Sequence, residues 1–173
     1  MMFHVERKIK TLFRRGFFLF CIVALAVSCI TPRHTVEIND YILLNNGKEI
    51  LGKEKGLTAF MFENNPRKIP FQQFVAHKYN VGSYHDVSYS VTIDGNRYKV
   101  FVYENSDVEK YFDISEFMVS NVETDANIVG SKAKFIALSM VTASNEDCLA
   151  ENSLFRNIAV KHLKELKDEY LNN

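Results

Sequence analysis

Cys148 is the residue whose type best suits nucleophilic chemistry, and its neighbours decide whether it can act. A thiol near a helix start is acidified by the helix dipole, and Cys148 stands shortly before a helical stretch. Glu146, Asp147 and Glu151 flank it and work the other way, because nearby carboxylates disfavour a thiolate. His162 is fourteen residues further on, about four helical turns or ~21 Å along an axis, too far to serve as its base. A small buried hydrophobe fits this setting better than a nucleophile. His77, His85 and Asp86 would bind a metal only if a helix and a hairpin met there, since they lack the close paired spacing of zinc ligands. His162 falls on an apolar stripe, the setting of a hydrogen-bonded, half-buried histidine.

Other catalytic frames are missing from the chain. It has no glycine-rich phosphate loop, no GxSxG elbow and no HExxH pair. Gly47, Gly52 and Gly56 are scattered and flanked by charge, and Asp94-Gly95-Asn96 is a turn rather than a calcium loop. No cofactor is expected. A binding surface is the alternative chemistry: Arg97, Lys99, Phe101 and Tyr103 share a hairpin strand, and if no helix covers them they make an aromatic-basic patch for a protein partner. A second layer over that face would remove it. The absence of tryptophan weakens a sugar-stacking role.

The elements that position these residues follow from periodicity. Val36 and Ile38, then Ile42 to Leu44, read as strand; Asn45-Asn46-Gly47 is a turn signal, and Lys48 to Leu51 offers a return strand. Leu57 to Phe62 is a buried strand stopped by Asn64-Asn65-Pro66. Pro70 opens a helix with Phe71, Phe74, Val75 and Lys78 at three- and four-residue steps, ended by Asn80 and Gly82. Around Asp94-Gly95, Val87, Tyr89, Val91 and Ile93 alternate with polar residues, and Tyr98, Val100 and Val102 alternate in return. A two-residue loop sets Val91 against Tyr98, Tyr89 against Val100 and Val87 against Val102; a four-residue loop keeps the same faces, whereas a three-residue loop breaks them.

Ser106-Asp107-Val108-Glu109 has the form of a capping box, opening a helix that buries Val108, Tyr111 and Phe112. Residues 113–119 fit helix or strand, and Lys132 to Thr142 reads as a buried strand. In the last segment, Phe155, Ile158, Ala159, His162, Leu163, Leu166 and Tyr170 recur on one helical face. Acids at Glu146, Asp147 and Glu151 lie near its start, and Lys161, Lys164 and Lys167 lie late, as a helix dipole favours. The order predicts an α+β domain: an antiparallel sheet with helices packed on one face and a long C-terminal helix.

The first thirty residues follow a separate logic. Arg7, Lys8, Lys10, Arg14 and Arg15 precede the apolar run Phe17 to Val27, which ends at Ser28-Cys29. This basic-apolar-small order is that of a secretory signal, and the run is about half of the ~20 residues a helix needs to cross a bilayer. Leu25-Ala26-Val27-Ser28-Cys29 resembles the lipobox of bacterial lipoproteins, with Ala26 three places before the cysteine where that family usually has leucine. The resemblance implies cleavage after residue 28, a lipid-modified Cys29 and a membrane anchor. Ile30, which is not acidic, and Thr31-Pro32-Arg33-His34, which lack acidic residues, imply by the same resemblance the periplasmic face of the outer membrane.

The division of the chain is then a signal peptide over 1–28, a tether over 29–35 and one α+β domain over 36–173. Cleavage would take five of the 21 Lys+Arg and one of the 21 Asp+Glu, leaving a formal charge of −4, which argues against nucleic acid as a partner. It would also leave Cys148 with no internal disulfide partner, so the domain relies on its hydrophobic core. The expected function is that of a membrane-anchored envelope lipoprotein without enzymatic activity. Its partners would be the membrane, through the lipid, and an envelope protein. The alternatives are a small-ligand-binding domain, with its pocket between the sheet and the helices at Pro70 and Asn152, and a thiol enzyme using Cys148.

Overall fold

The computed structural model describes residues 36–49, 55–81, 88–104, 106–120 and 130–173. Residues 1–35, where the signal peptide, Cys29 and the tether are expected, lie outside the described residues, as do Ile50-Leu51, Gly82, His85, Asp86 and Val87. Among the described residues ten elements follow in order: β1 (Val36–Glu37), β2 (Ile42–Leu44), β3 (Ala59–Glu63), α1 (Phe71–Tyr79), β4 (Ser88–Ile93), β5 (Asn96–Glu104), α2 (Ser106–Tyr111), β6 (Phe117–Met118), β7 (Phe135–Thr142) and α3 (Arg156–Asn172). The fold is α+β, as expected. A five-stranded antiparallel sheet has the order β2-β3-β7-β5-β4, and β1 pairs with β6 in a separate parallel ribbon.

The Asp94-Gly95 hairpin closes with a two-residue loop. Ile93 lies opposite Asn96, Val91 opposite Tyr98 and Tyr89 opposite Val100. Both loop residues have positive φ, 49° at Asp94 and 79° at Gly95, the backbone a type I′ turn requires. The centre of the sheet is β7, whose residues 135–141 are all buried between β3 and β5. A strand buried on both faces loses its alternation and reads as a near-continuous apolar run, as FIALSMV does with Ser139 as its one polar residue.

Each sheet face has its own core. Phe60, Phe62, Tyr89, Val91, Tyr98, Val100, Val102, Ile136, Leu138 and Met140 point to one face, covered by α1 and α3. Aromatic rings continue across that interface, Phe62 on Phe71 at 6.0 Å and Phe71 on Tyr170 at 5.0 Å. Ala59, Met61, Phe101, Tyr103, Ala137 and Val141 point to the other face, packed with Val108 and Phe112 of the α2 region and with Phe117 of the ribbon. The two long helices thus share one face, while the six-residue α2 covers part of the opposite one.

Several local expectations change. Lys48 and Glu49 form no strand; instead Gly47 N–H donates to the Leu57 carbonyl at 2.8 Å and Leu57 N–H to that of Lys48 at 3.0 Å, and β3 is the strand that returns along β2. A Cβ on Gly47 would stand 2.7 Å from the Leu57 oxygen, so the close approach of these two loop arms needs glycine. Residues 117–118 are strand rather than continued helix. Ser106 is the first helical residue of α2 rather than the residue before it. At the other end of the chain, α3 begins at Arg156 with no acid in its first turn and no base in its last, so the expected dipole pattern is not realised. Its acids belong to the preceding turn, and Lys164 and Lys167 instead reach sideways to the Asp40 carboxylate.

Candidate functional site

The chain leaves β7 through a tight reversal. Thr142 N–H donates to the Glu146 carbonyl at 3.0 Å, Asn145 takes a φ of 60°, and Cys148 N–H donates to the Met140 carbonyl at 2.9 Å. This folds residues 146–149 back along the end of β7, so Cys148 lies on no helix. Its side chain is wholly buried in the core beneath α3. Burial, followed by the charges of Asp147 and Glu146, pushes its thiol up to about 12. A thiol held there is protonated at neutral pH and unreactive.

Above this reversal lies a groove of about 1320 Å³. One wall is Asn45-Asn46 with Lys55 to Thr58; the other is Asn145 to Asp147 with Ala150 to Phe155. Asp147 ties the walls together: one carboxylate oxygen accepts Thr58 N–H at 2.7 Å and the other accepts Leu149 N–H at 2.9 Å. Both oxygens therefore already have partners. Glu146, Glu151 and Asn152 are exposed around the rim, and Leu154 projects with 94% of its surface exposed. The groove has an acidic rim, and none of its lining residues is a cysteine or histidine.

The hairpin patch divides. Arg97 and Lys99 are exposed, whereas Phe101 and Tyr103 are buried. Tyr103 packs edge-on to Phe112 at 5.4 Å, donates its hydroxyl to Ser139 Oγ at 3.1 Å and accepts Lys48 N–H at 3.3 Å. Phe101 sits under two ammonium groups, Lys48 Nζ at 5.2 Å and Lys99 Nζ at 5.1 Å from its ring centre. The α2 region and the Lys48 arm supply the second layer that hides these rings. A partner meeting this face would touch Arg97, Lys99 and the lysine stems rather than aromatic faces.

The two described histidines lie on helices, His77 on α1 and His162 on α3, and neither belongs to the reversal that holds Cys148. His77 is exposed on α1. His162 is half-buried on α3, and its buried Nε2 has no hydrogen-bond partner among the described residues, so the expected hydrogen bond is not made there at that atom. Burial lowers its pKa below 6.5, with Glu165 opposing and Lys78 assisting. Among the described residues no group of three or more His, Cys, Asp or Glu side chains is placed to hold a metal ion, and no helix is long and apolar enough to cross a membrane.

One polar cluster had no sequence signal. Glu104, 8% exposed at the end of β5, accepts backbone N–H groups from Phe71 and Gln72 at the start of α1. Tyr170 donates to Asn64 Oδ1 at 3.0 Å and to the Ile69 carbonyl at 2.7 Å, and Asn64 Nδ2 donates to the Ala133 carbonyl at 2.9 Å. Glu104 thus does for α1 what Pro70 cannot, because a proline has no side-chain acceptor to cap the first turn. No family model, curated protein or solved structure matches this chain.

Proposed function

We propose that this protein is a membrane-anchored envelope lipoprotein whose folded domain binds another protein and catalyses no reaction. The observation that carries the reading is the place of Cys29, directly after Ser28 and the apolar run Phe17 to Val27. The first strand of the domain begins at Val36, so an acylated Cys29 would hold the domain within about 25 Å of the bilayer at ~3.3–3.6 Å per residue. A partner reached from so short a tether stands at the membrane surface. The non-acidic Ile30 favours the periplasmic face of the outer membrane. A protonated, enclosed Cys148 and an Asp147 with both oxygens engaged support binding over catalysis.

Intact mass of the membrane fraction tests the anchor: the expected species begins at Cys29 with added acyl chains. A Cys29→Ala variant that stays in the membrane sinks this part of the reading. Crosslinking in intact cells through a C-terminal tag tests the rest, with an envelope protein recovered in near-stoichiometric amount as the expected result. The groove between residues 45–58 and 145–155 favours one second reading, the binding of a small ligand, because about 1320 Å³ is ample for one. A broad ligand screen that raises the melting temperature in no case would remove it.

A further inference from the structure

The two edges of the five-stranded sheet are guarded differently. β2 is three residues long, and the Asp40 carboxylate just before it is held by Lys164 and Lys167. β4 is six residues long and reads SYSVTI, with no charge and no proline. Its register with β5 runs unbroken from Ser88 opposite Phe101 to Ile93 opposite Asn96, so no bulge twists it away. No strand among the described residues pairs with its outer side. Natural proteins blunt an edge of this length with Lys, Pro or a bulge, because unpaired N–H and C=O groups recruit another strand.

The turn decides which groups face outward. In a two-residue hairpin the residues flanking the loop exchange both of their backbone hydrogen bonds. Ile93, Val91 and Tyr89 therefore direct theirs to β5, and Ser88, Ser90 and Thr92 direct theirs away from it. These three have small hydroxyl side chains, and Ser90 and Thr92 are exposed. Nothing bulky on the strand itself blocks approach.

We propose that this edge pairs with β4 of a second copy of the chain, antiparallel across a twofold axis centred on Ser90. Residues directly opposite in an antiparallel pair share a sheet face. Tyr89 then lies opposite the partner's Val91, Ser88 opposite the partner's Thr92, and Ser90 opposite its own counterpart. Apolar residues meet apolar ones on the helix-covered face, and hydroxyls meet hydroxyls on the other. With no charge in the strand, no like-charge pair arises at the axis. Such self-complementarity is what a twofold interface demands. The inference deepens the protein-binding reading by naming a partner, and an envelope protein captured by a chain that never self-pairs would overturn the dimer while leaving that reading in place.

The test uses the full chain in native membranes with single cysteines and a mild oxidant. Opposite residues in a hydrogen-bonded pair have Cα atoms about 5.5 Å apart, inside the ~4.4–6.8 Å range a disulfide spans. Ser90→Cys is expected to give a covalent dimer on a non-reducing gel. Ser88→Cys alone, Lys99→Cys and the parent chain are expected to give none, and the double variant Ser88→Cys/Thr92→Cys restores it. As a second measurement, sedimentation equilibrium in detergent should show a dimer for the parent. Thr92→Pro, which removes an outward N–H at an edge position where proline is tolerated, should weaken it at least tenfold. A monomeric parent, an undiminished Thr92→Pro dimer, or equal crosslinking from Lys99→Cys and Ser90→Cys would overturn the proposal.

Discussion

The two faces of the central sheet are covered by unlike means. On one, α1 and the seventeen-residue α3 lie over ten strand side chains, and Phe60, Phe62, Ile136, Leu138 and Met140 are all at most 1% exposed. On the other, the six-residue α2 and a two-residue parallel ribbon cover Met61, Phe101 and Tyr103, while Arg97, Lys99, Ser90 and Thr92 stay exposed beside them. Six residues are too few for a helix to persist by itself. The second layer therefore depends on Val108 and Phe112 staying docked, whereas α3 is long enough to bring a full stripe of Ala159, Leu163, Leu166 and Tyr170 to the sheet. The lesson is that one face builds the domain and the other is finished by local pieces that lean on it.

Substitutions on the two faces should differ in size and in reach. Leu138→Ala, at the centre of β7, should cost about 2–5 kcal/mol by urea denaturation, the range for a buried leucine whose site cannot collapse. It should lower hydrogen-exchange protection throughout the domain. Val108→Ala on α2 should cost about 1.5 kcal/mol, at ~0.8 per buried carbon removed. Its exchange effect should be confined to α2 and the β1–β6 ribbon, leaving α3 protected. If Val108→Ala instead loosens α3 as well, the two layers form one cooperative unit and neither face stands without the other.

The same asymmetry governs how much could be read from the chain. Hairpin register, the helix at Phe71 and the α3 stripe were legible because one buried face leaves a period of two or 3.6 residues. Phe101 and Tyr103 were placed as surface residues only on condition that nothing covered them. The cover comes from α2 and from Lys48, more than fifty residues earlier in the case of Tyr103, and no local pattern encodes such a contact. Val36 reads as strand and is one, but its partner Phe117 is a long-range choice that no local pattern shows. The sequence sets Cys148 and its acids near a helix start that lies at Arg156 instead, because the 142–148 reversal has no strong turn dipeptide; Asn145 alone carries the positive φ there. The groove arises where that reversal meets the Gly47–Leu57 arms, and neither half announces it.

Titration should sharpen the contrast, because Glu104 and His162 both lie on the α1–α3 side. Burial raises the Glu104 carboxyl above 4.5, against the pull of the Phe71 and Gln72 N–H groups. Its contribution to stability is therefore full below about 4.5 and is lost as pH rises through the raised value. Burial lowers the His162 pKa from 6.5, so its contribution is full above about 6.5 and is lost as pH falls through the lowered value. The two slopes oppose each other in mildly acidic solution. His162→Gln should remove the loss on acidification, and Glu104→Gln should remove the gain, as read from urea midpoints between pH 4 and pH 8. A variant whose midpoint-against-pH curve keeps the parent shape would show that its residue is not the titrating group.

The smallest effect is expected at Tyr89, and it tests how tightly the helix-covered face is finished at its outer strand. The Tyr89 ring stacks on Tyr79 at 4.8 Å, and both hydroxyl oxygens are buried without a hydrogen-bond partner among the described residues. Burial raises both phenols, Tyr79 to about 12, so each hydroxyl keeps its proton at any ordinary pH. An enclosed hydroxyl with no acceptor has given up its water for nothing, at a penalty of about 1–3 kcal/mol. Tyr89→Phe keeps the ring and the stack and deletes the stranded group. It should leave stability unchanged or raise it by about 1 kcal/mol, where most substitutions in a filled core lower it. A loss of similar size would mean that the hydroxyl has a bound water or a partner across the β4 edge, and that this face, so complete at its centre, is finished at its rim by something outside the domain.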